Sequence, residues 1–119
     1  MKILDVDGDE WDCLIILDAC RYDYFAILHK YFFEGDLEKR FSRGINTPSW
    51  YRNTFTRYYG DVVYISGNPY INSRICIKGC DAGRKFFKVV DVWDFGWDDD
   101  LGTVPPWTLT LAALSYVER

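Results

Sequence analysis

Two side chains in this 119-residue chain occupy positions where metal or ester chemistry is possible, Asp18 and Thr47. Asp18 closes a short apolar run, residues 12–18, of the kind expected for a strand buried on both faces in a parallel sheet. Ligand sites in open α/β sheets lie beyond the carboxyl ends of strands. A carboxylate there is a hard oxygen ligand suited to a divalent metal, although it can equally well cap the following helix. Thr47 precedes Pro48 at a helix start, with Thr47 expected as N-cap and Pro48 as the first helical residue. A hydroxyl among unpaired helix N–H groups lies where an anionic ester would dock, and beside a metal it can become a nucleophile. Ordinary capping is the competing explanation.

Other residues are weaker candidates. Ser66 and Asn68 follow a second apolar strand, where they could bind a substrate oxygen or simply build the turn with Gly67 and Pro69. Arg21 could hold an anion, or pair with Asp23 at the start of the first helix. Asp98, Asp99 and Asp100 resemble metal ligands by eye, but charge runs in loops are usually solvated. His29 is the only histidine and falls on a helix face. With one histidine and no Gly-x-Ser-x-Gly turn, a hydrolase triad is disfavoured, and neither a P-loop nor a Gly-x-Gly-x-x-Gly is present.

The elements that must position these residues follow from periodicity. After the first strand, Tyr22, Phe25, Leu28 and Phe32 recur at helical spacing, so a helix is expected over residues 19–32. Residues 37–45 form a polar connector with a possible short strand near Phe41. A helix from Thr47 should run to about Tyr58 and end at Gly60. Strands are expected over residues 61–66 and 85–93, separated by a mostly irregular excursion over 70–83. A last helix should open at Pro105 or Pro106 and reach Arg119. Alternating strands and helices imply an α/β fold with a parallel sheet and helices on its faces.

Composition narrows the classes. The chain is 49% hydrophobic and 18% aromatic, enough for one packed core and too apolar for disorder. A net charge of −4 offers no electrostatic reason to expect nucleic acid as a partner. No apolar run approaches the roughly 20 residues of a membrane helix, and no cationic start precedes an apolar stretch. A cytoplasmic, non-membrane protein is the expectation. Cys76 and Cys80 could form a local disulfide or contribute to a metal site, with free thiols the default in that compartment.

Taken in order, these segments are familiar. Leu14-Ile-Ile-Leu-Asp18-Ala-Cys-Arg21-Tyr-Asp23 resembles the opening strand motif of the sulfatase-like branch of the alkaline-phosphatase superfamily. Residues 42–50, 63–69 and 102–106 resemble later segments of archaeal and bacterial sulfatase-like proteins, in the same order. The likeness covers roughly residues 12–117 and implies a three-layer αβα fold with a mostly parallel sheet, here a single partial domain over 1–119.

By the resemblance, Asp18 maps onto a metal ligand and Thr47 onto the nucleophile and a metal contact, with Asn46 or Ser49 as alternatives at that position. Arg21, Asn46, Ser66 and Asn68 are the residues expected to bind substrate. No cysteine lies in the nucleophile segment, which excludes formylglycine and favours phosphate or phosphonate esters, or another ester not identified by the motifs. An active protein would use a divalent metal such as Zn, Mn, Mg or Ca. The second half of the family pattern, with its further Asp and His ligands, is missing. The expectation is therefore a truncated sulfatase-like protein, inactive alone, that forms a homo-oligomer or joins a second chain completing the fold. The alternative is a non-catalytic anion- or protein-binding module.

Overall fold

The computed structural model describes residues 1–8, 10–18 and 20–117. The chain divides into two compact units, Met1–Arg43 and Gly44–Arg119.

In the first unit, helix α1 spans Tyr22–Leu28 and continues as a single 3-10 turn over His29–Tyr31. The expected start of that helix at Ala19 lies outside the described residues. Ile3 and Phe41 form an isolated parallel bridge, close to the short strand anticipated at Phe41. The Arg43 guanidinium donates to the Leu4 carbonyl, and the Trp11 indole donates to the Val6 carbonyl at 2.9 Å.

The apolar run at residues 12–18 corrects the sequence expectation, because it forms no strand. Ile15 and Leu17 are 70% and 52% exposed on one side and Leu14 and Ile16 38% and 40% on the other, so neither face of the run is covered. An apolar segment becomes a strand only when a neighbour takes its backbone N–H and C=O groups. Within this unit no such neighbour is paired to it among the described residues. Asp18 consequently sits in an exposed turn rather than at a strand end.

The second unit is the better-packed one. Helix α2 spans Thr47–Thr54, strand β1 Tyr59–Ser66 and the single turn α3 Ala82–Lys85. Strand β2 runs Phe86–Asp91 into the turn α4, Val92–Phe95, and helix α5 spans Pro106–Val117. The two strands pair in parallel, Val63 opposite Lys88 and Ser66 opposite Asp91, with an irregularity between Tyr59 and Val63. A parallel pair needs a crossover rather than a hairpin, and residues 67–85 supply it, mostly as irregular chain. This unit is thus a mixed helix/strand structure around a small parallel two-stranded sheet.

Three boundaries differ from the periodicity. Helix α2 stops at Thr54, because Phe55 turns extended (φ −103°, ψ 93°). That turn sends its ring among Trp50, Tyr51, Tyr59, Tyr64 and Phe86, at centroid distances of 5.2 to 6.0 Å. Gly60 therefore lies inside β1 instead of ending α2. The third expected strand gives way at Val92, whose side chain is fully buried as the chain turns helical. This aromatic cluster, with Tyr51, Phe55 and Tyr59 at most 1% exposed, is the core that seats α2 on the sheet.

Candidate functional site

The start of α2 is built by a reciprocal cap. Asn46 is extended (φ −142°, ψ 170°), and its side-chain oxygen accepts the Ser49 N–H at 3.0 Å. The Ser49 hydroxyl accepts the Asn46 N–H in return, at 3.3 Å. This capping box makes Asn46 the N-cap, one residue before the expected Thr47, and places Thr47 and Pro48 in the first turn. The shift has a chemical consequence. With capping assigned to Asn46, the Thr47 hydroxyl is not needed to close the helix end.

Asn68 approaches that hydroxyl from the carboxyl end of β1, its side-chain amide 3.5 Å from Thr47 Oγ1. Two sequence candidates far apart in the chain thus meet. Ser66 does not join them as a ligand-facing group. It is 1% exposed, and its hydroxyl donates to the Asn68 carbonyl at 2.9 Å while accepting the Asn68 N–H at 3.2 Å. Ser66 builds the turn that aims Asn68.

A cleft of about 390 Å³ opens at this helix end, lined by Asn46, Thr47, Pro48, Ser49, Arg52, Tyr70 and Lys78. The sequence reading missed Arg52, Tyr70 and Lys78. Arg52 lies in the last turn of α2 and donates to the Lys78 carbonyl. Lys78 (φ 50°) and Gly79 (φ 84°) form the tip of a tight turn closed by the Ile77–Cys80 bridge. A Cβ on Gly79 would come within 2.6 Å of Arg52 Cδ, so both the left-handed backbone and the close approach require glycine here. The Lys-Gly pair was a legible turn signal, but nothing local to it indicates which helix the turn meets.

Tyr70 is placed by buried Asn72, 2% exposed, whose side-chain oxygen accepts the Arg74 and Ile75 N–H groups at 2.9 and 2.8 Å. Its amide donates to the Pro69 carbonyl at 3.0 Å, which closes the loop carrying Tyr70. Also on α2, the Tyr51 hydroxyl donates to Asp81 at 3.1 Å, and burial pushes that phenol well above its usual range. Lys85 lies 3.5 Å from Asp81 and donates to the Phe55 carbonyl at 2.7 Å.

Electrostatically the cleft opposes the chain as a whole. Its lining holds two cations and no carboxylate, in a protein of net charge −4. Such a donor set suits an anion and repels a divalent cation. Among the described residues no group of three or more His, Cys, Asp or Glu is placed to hold a metal ion. The divalent metal implied by the resemblance therefore does not fit the residues around Thr47.

Asp18 and Arg21 belong to the first unit, where Arg21 pairs with Asp23 at 2.6 Å and lies over the Tyr24 ring. His29 stacks on Phe25, with centroids 5.7 Å apart. Asp98 accepts the Asp100 and Leu101 N–H groups, so it shapes its own loop. Cys76 is exposed and Cys80 buried, both as free thiols. No described helix is long and apolar enough to cross a membrane.

No protein-family model, curated protein or solved structure matches the chain.

Proposed function

We propose that this chain is a sulfatase-like anion-binding module, derived from the front half of a phosphate or sulfate ester hydrolase site and inactive as a hydrolase by itself. The observation that carries this is a cleft that joins the Thr47 hydroxyl, the first turn of α2, Arg52 and Lys78. The positive end of the α2 dipole attracts an anion, although the Ser49 N–H is already taken by Asn46 and Pro48 has none to offer. Two cationic side chains add to that attraction, and a hydroxyl supplies a further hydrogen bond. Asn68 orients that hydroxyl. The three-layer fold of the superfamily and a cytoplasmic location belong to the same proposal, on the strength of the ordered sequence motifs.

Hydrolysis by a metal-activated Thr47 would need several protein ligands around the metal. The cleft supplies cations instead, and this favours binding over turnover.

The test is titration with inorganic phosphate, sulfate and nitrophenyl phosphate, followed by NMR shifts of the α2 amides. Binding is expected with no ester cleavage, and Lys78→Gln should weaken it roughly tenfold, as removal of one nearby charge from a partly solvated site would. Absence of phosphate binding, or binding indifferent to Lys78→Gln and Arg52→Gln alike, would sink the proposal. Metal-stimulated cleavage abolished by Thr47→Ala would replace it with the enzyme.

A further inference from the structure

The hydrogen-bond acceptors lining the cleft at the start of α2 are already engaged. The Asn46 side-chain oxygen takes the Ser49 N–H, and the Asn46 carbonyl takes the Trp50 N–H at 2.9 Å and the Ser49 hydroxyl at 3.2 Å. The Ser49 hydroxyl in turn accepts the Asn46 N–H. Thr47 Oγ1 faces the Asn68 amide, and the Lys78 carbonyl is taken by Arg52. What these residues still offer is donors: the Asn46 amide N–H groups, the Thr47 O–H, the Lys78 ammonium and the rest of the Arg52 guanidinium. The Tyr70 hydroxyl can turn either way, but a neutral oxygen gives only about half the strength of a charge-assisted bond.

We propose that this cleft takes only the fully ionised form of a tetrahedral oxyanion. A sulfate or sulfonate qualifies at any ordinary pH, a phosphate ester or phosphonate only after its second proton has gone. The inference rests on the anion site proposed above and specifies the ionisation state of its ligand. A hydrogen left on the ligand needs an acceptor, and an O–H held among donors loses its bond to water without gaining another. The two cations act in the same direction, because doubling the ligand's charge doubles their Coulombic attraction.

The charged and titratable groups around the cleft come from three segments. Helix α2 supplies Arg52, the 77–80 turn supplies Lys78, and the loop after β1 supplies Tyr70. Asp81, just past the turn, is outside the lining and is held by Tyr51 at 3.1 Å and Lys85 at 3.5 Å. Cys76 precedes the turn and is exposed, while Cys80 is buried, which pushes its thiol up and keeps it neutral. Lysine and arginine stay cationic through the neutral range.

Two probes of the same shape isolate the ligand's proton. Methanesulfonate is a monoanion with no hydrogen on its oxygens, and methylphosphonate sheds its second proton near neutral pH. Each is titrated against the full chain and followed by NMR shifts of the α2 amides. At about pH 8.5 methylphosphonate is a dianion and should bind about tenfold tighter, the effect of one extra charge in a partly solvated site. Below neutrality each pH unit removes about nine-tenths of the remaining dianion. At about pH 5.5 the order should therefore reverse, with methylphosphonate about tenfold the weaker. Both probes meet the same protein at each pH, so a reversal reports the ligand's proton rather than a protein group. Asn46→Asp keeps a capping side chain and gives the cleft a carboxylate acceptor, so at the lower pH it should close the gap between the probes. Methylphosphonate that remains the tighter ligand there overturns the inference and leaves the anion site standing. A gap that Asn46→Asp leaves unchanged overturns the shortage of acceptors as its cause. Failure of both probes to bind at either pH overturns the anion site as well.

Discussion

Tyr51 offers the sharpest check on how α2 is held over the sheet. Its ring is fully buried, and its hydroxyl donates to Asp81 at 3.1 Å. Burial first, and then the Asp81 carboxylate, oppose ionisation and hold the phenol far above the unfolded value of about 10. A folded pKa raised above the unfolded one means that the folded chain keeps a proton which the unfolded chain releases. The contribution is therefore complete below about pH 10 and is lost as pH rises beyond it, by up to about 1.4 kcal/mol per pH unit. From pH 9 to pH 11 the loss is about 1.4 kcal/mol from this one group. The perturbation is Tyr51→Phe, which preserves the ring and removes the hydroxyl. At pH 7 the variant should be less stable by roughly 1.5 kcal/mol, the low end for a hydrogen bond to a charged group. The low end applies because Lys85 remains 3.5 Å from Asp81. Other tyrosines also titrate, so the informative quantity is the difference between wild type and variant in urea unfolding at pH 7, 9 and 11. That difference should shrink to near zero by pH 11. If the two proteins lose stability in parallel, the Tyr51 hydroxyl is not buried against Asp81 and this account of the core is wrong.

Three further outcomes follow from the same packing. Phe55→Ala should cost about 3–5 kcal/mol, measured by thermal unfolding, since the ring is 1% exposed and stacks among five aromatic neighbours. Asn46→Ala should cost about 1 kcal/mol through loss of the capping box and should also weaken phosphate binding, whereas Asn46→Asp should preserve the fold. Reaction with a thiol reagent at pH 8 should label Cys13, Cys20 and Cys76 quickly and Cys80 slowly, because Cys80 is buried and burial pushes its thiol up. Equal rates for all four would contradict the burial of Cys80 at the end of the Ile77–Cys80 turn.

The local chemistry of this chain determined its local elements. The apolar run before Ser66 became β1, Phe86 onward became β2, and Pro106 opened α5, because strand and helix periodicities and proline's preset backbone act over a few residues. A capped helix near Thr47 was likewise legible from Asn, Thr, Pro and Ser in succession. Which of them caps it was decided by geometry, since Asn46 Oδ1 reaches the Ser49 N–H and leaves the Thr47 hydroxyl available to Asn68. Tertiary structure alone decided the rest. Pairing partners are not encoded in an apolar run, so residues 12–18 carry a strand's composition without its hydrogen bonds. The cleft's cations come from a helix and a distant turn, Arg52 and Lys78, joined through a backbone carbonyl that no spacing rule anticipates. Side-chain type is written locally. The charge of a site is a sum over whatever the fold brings together.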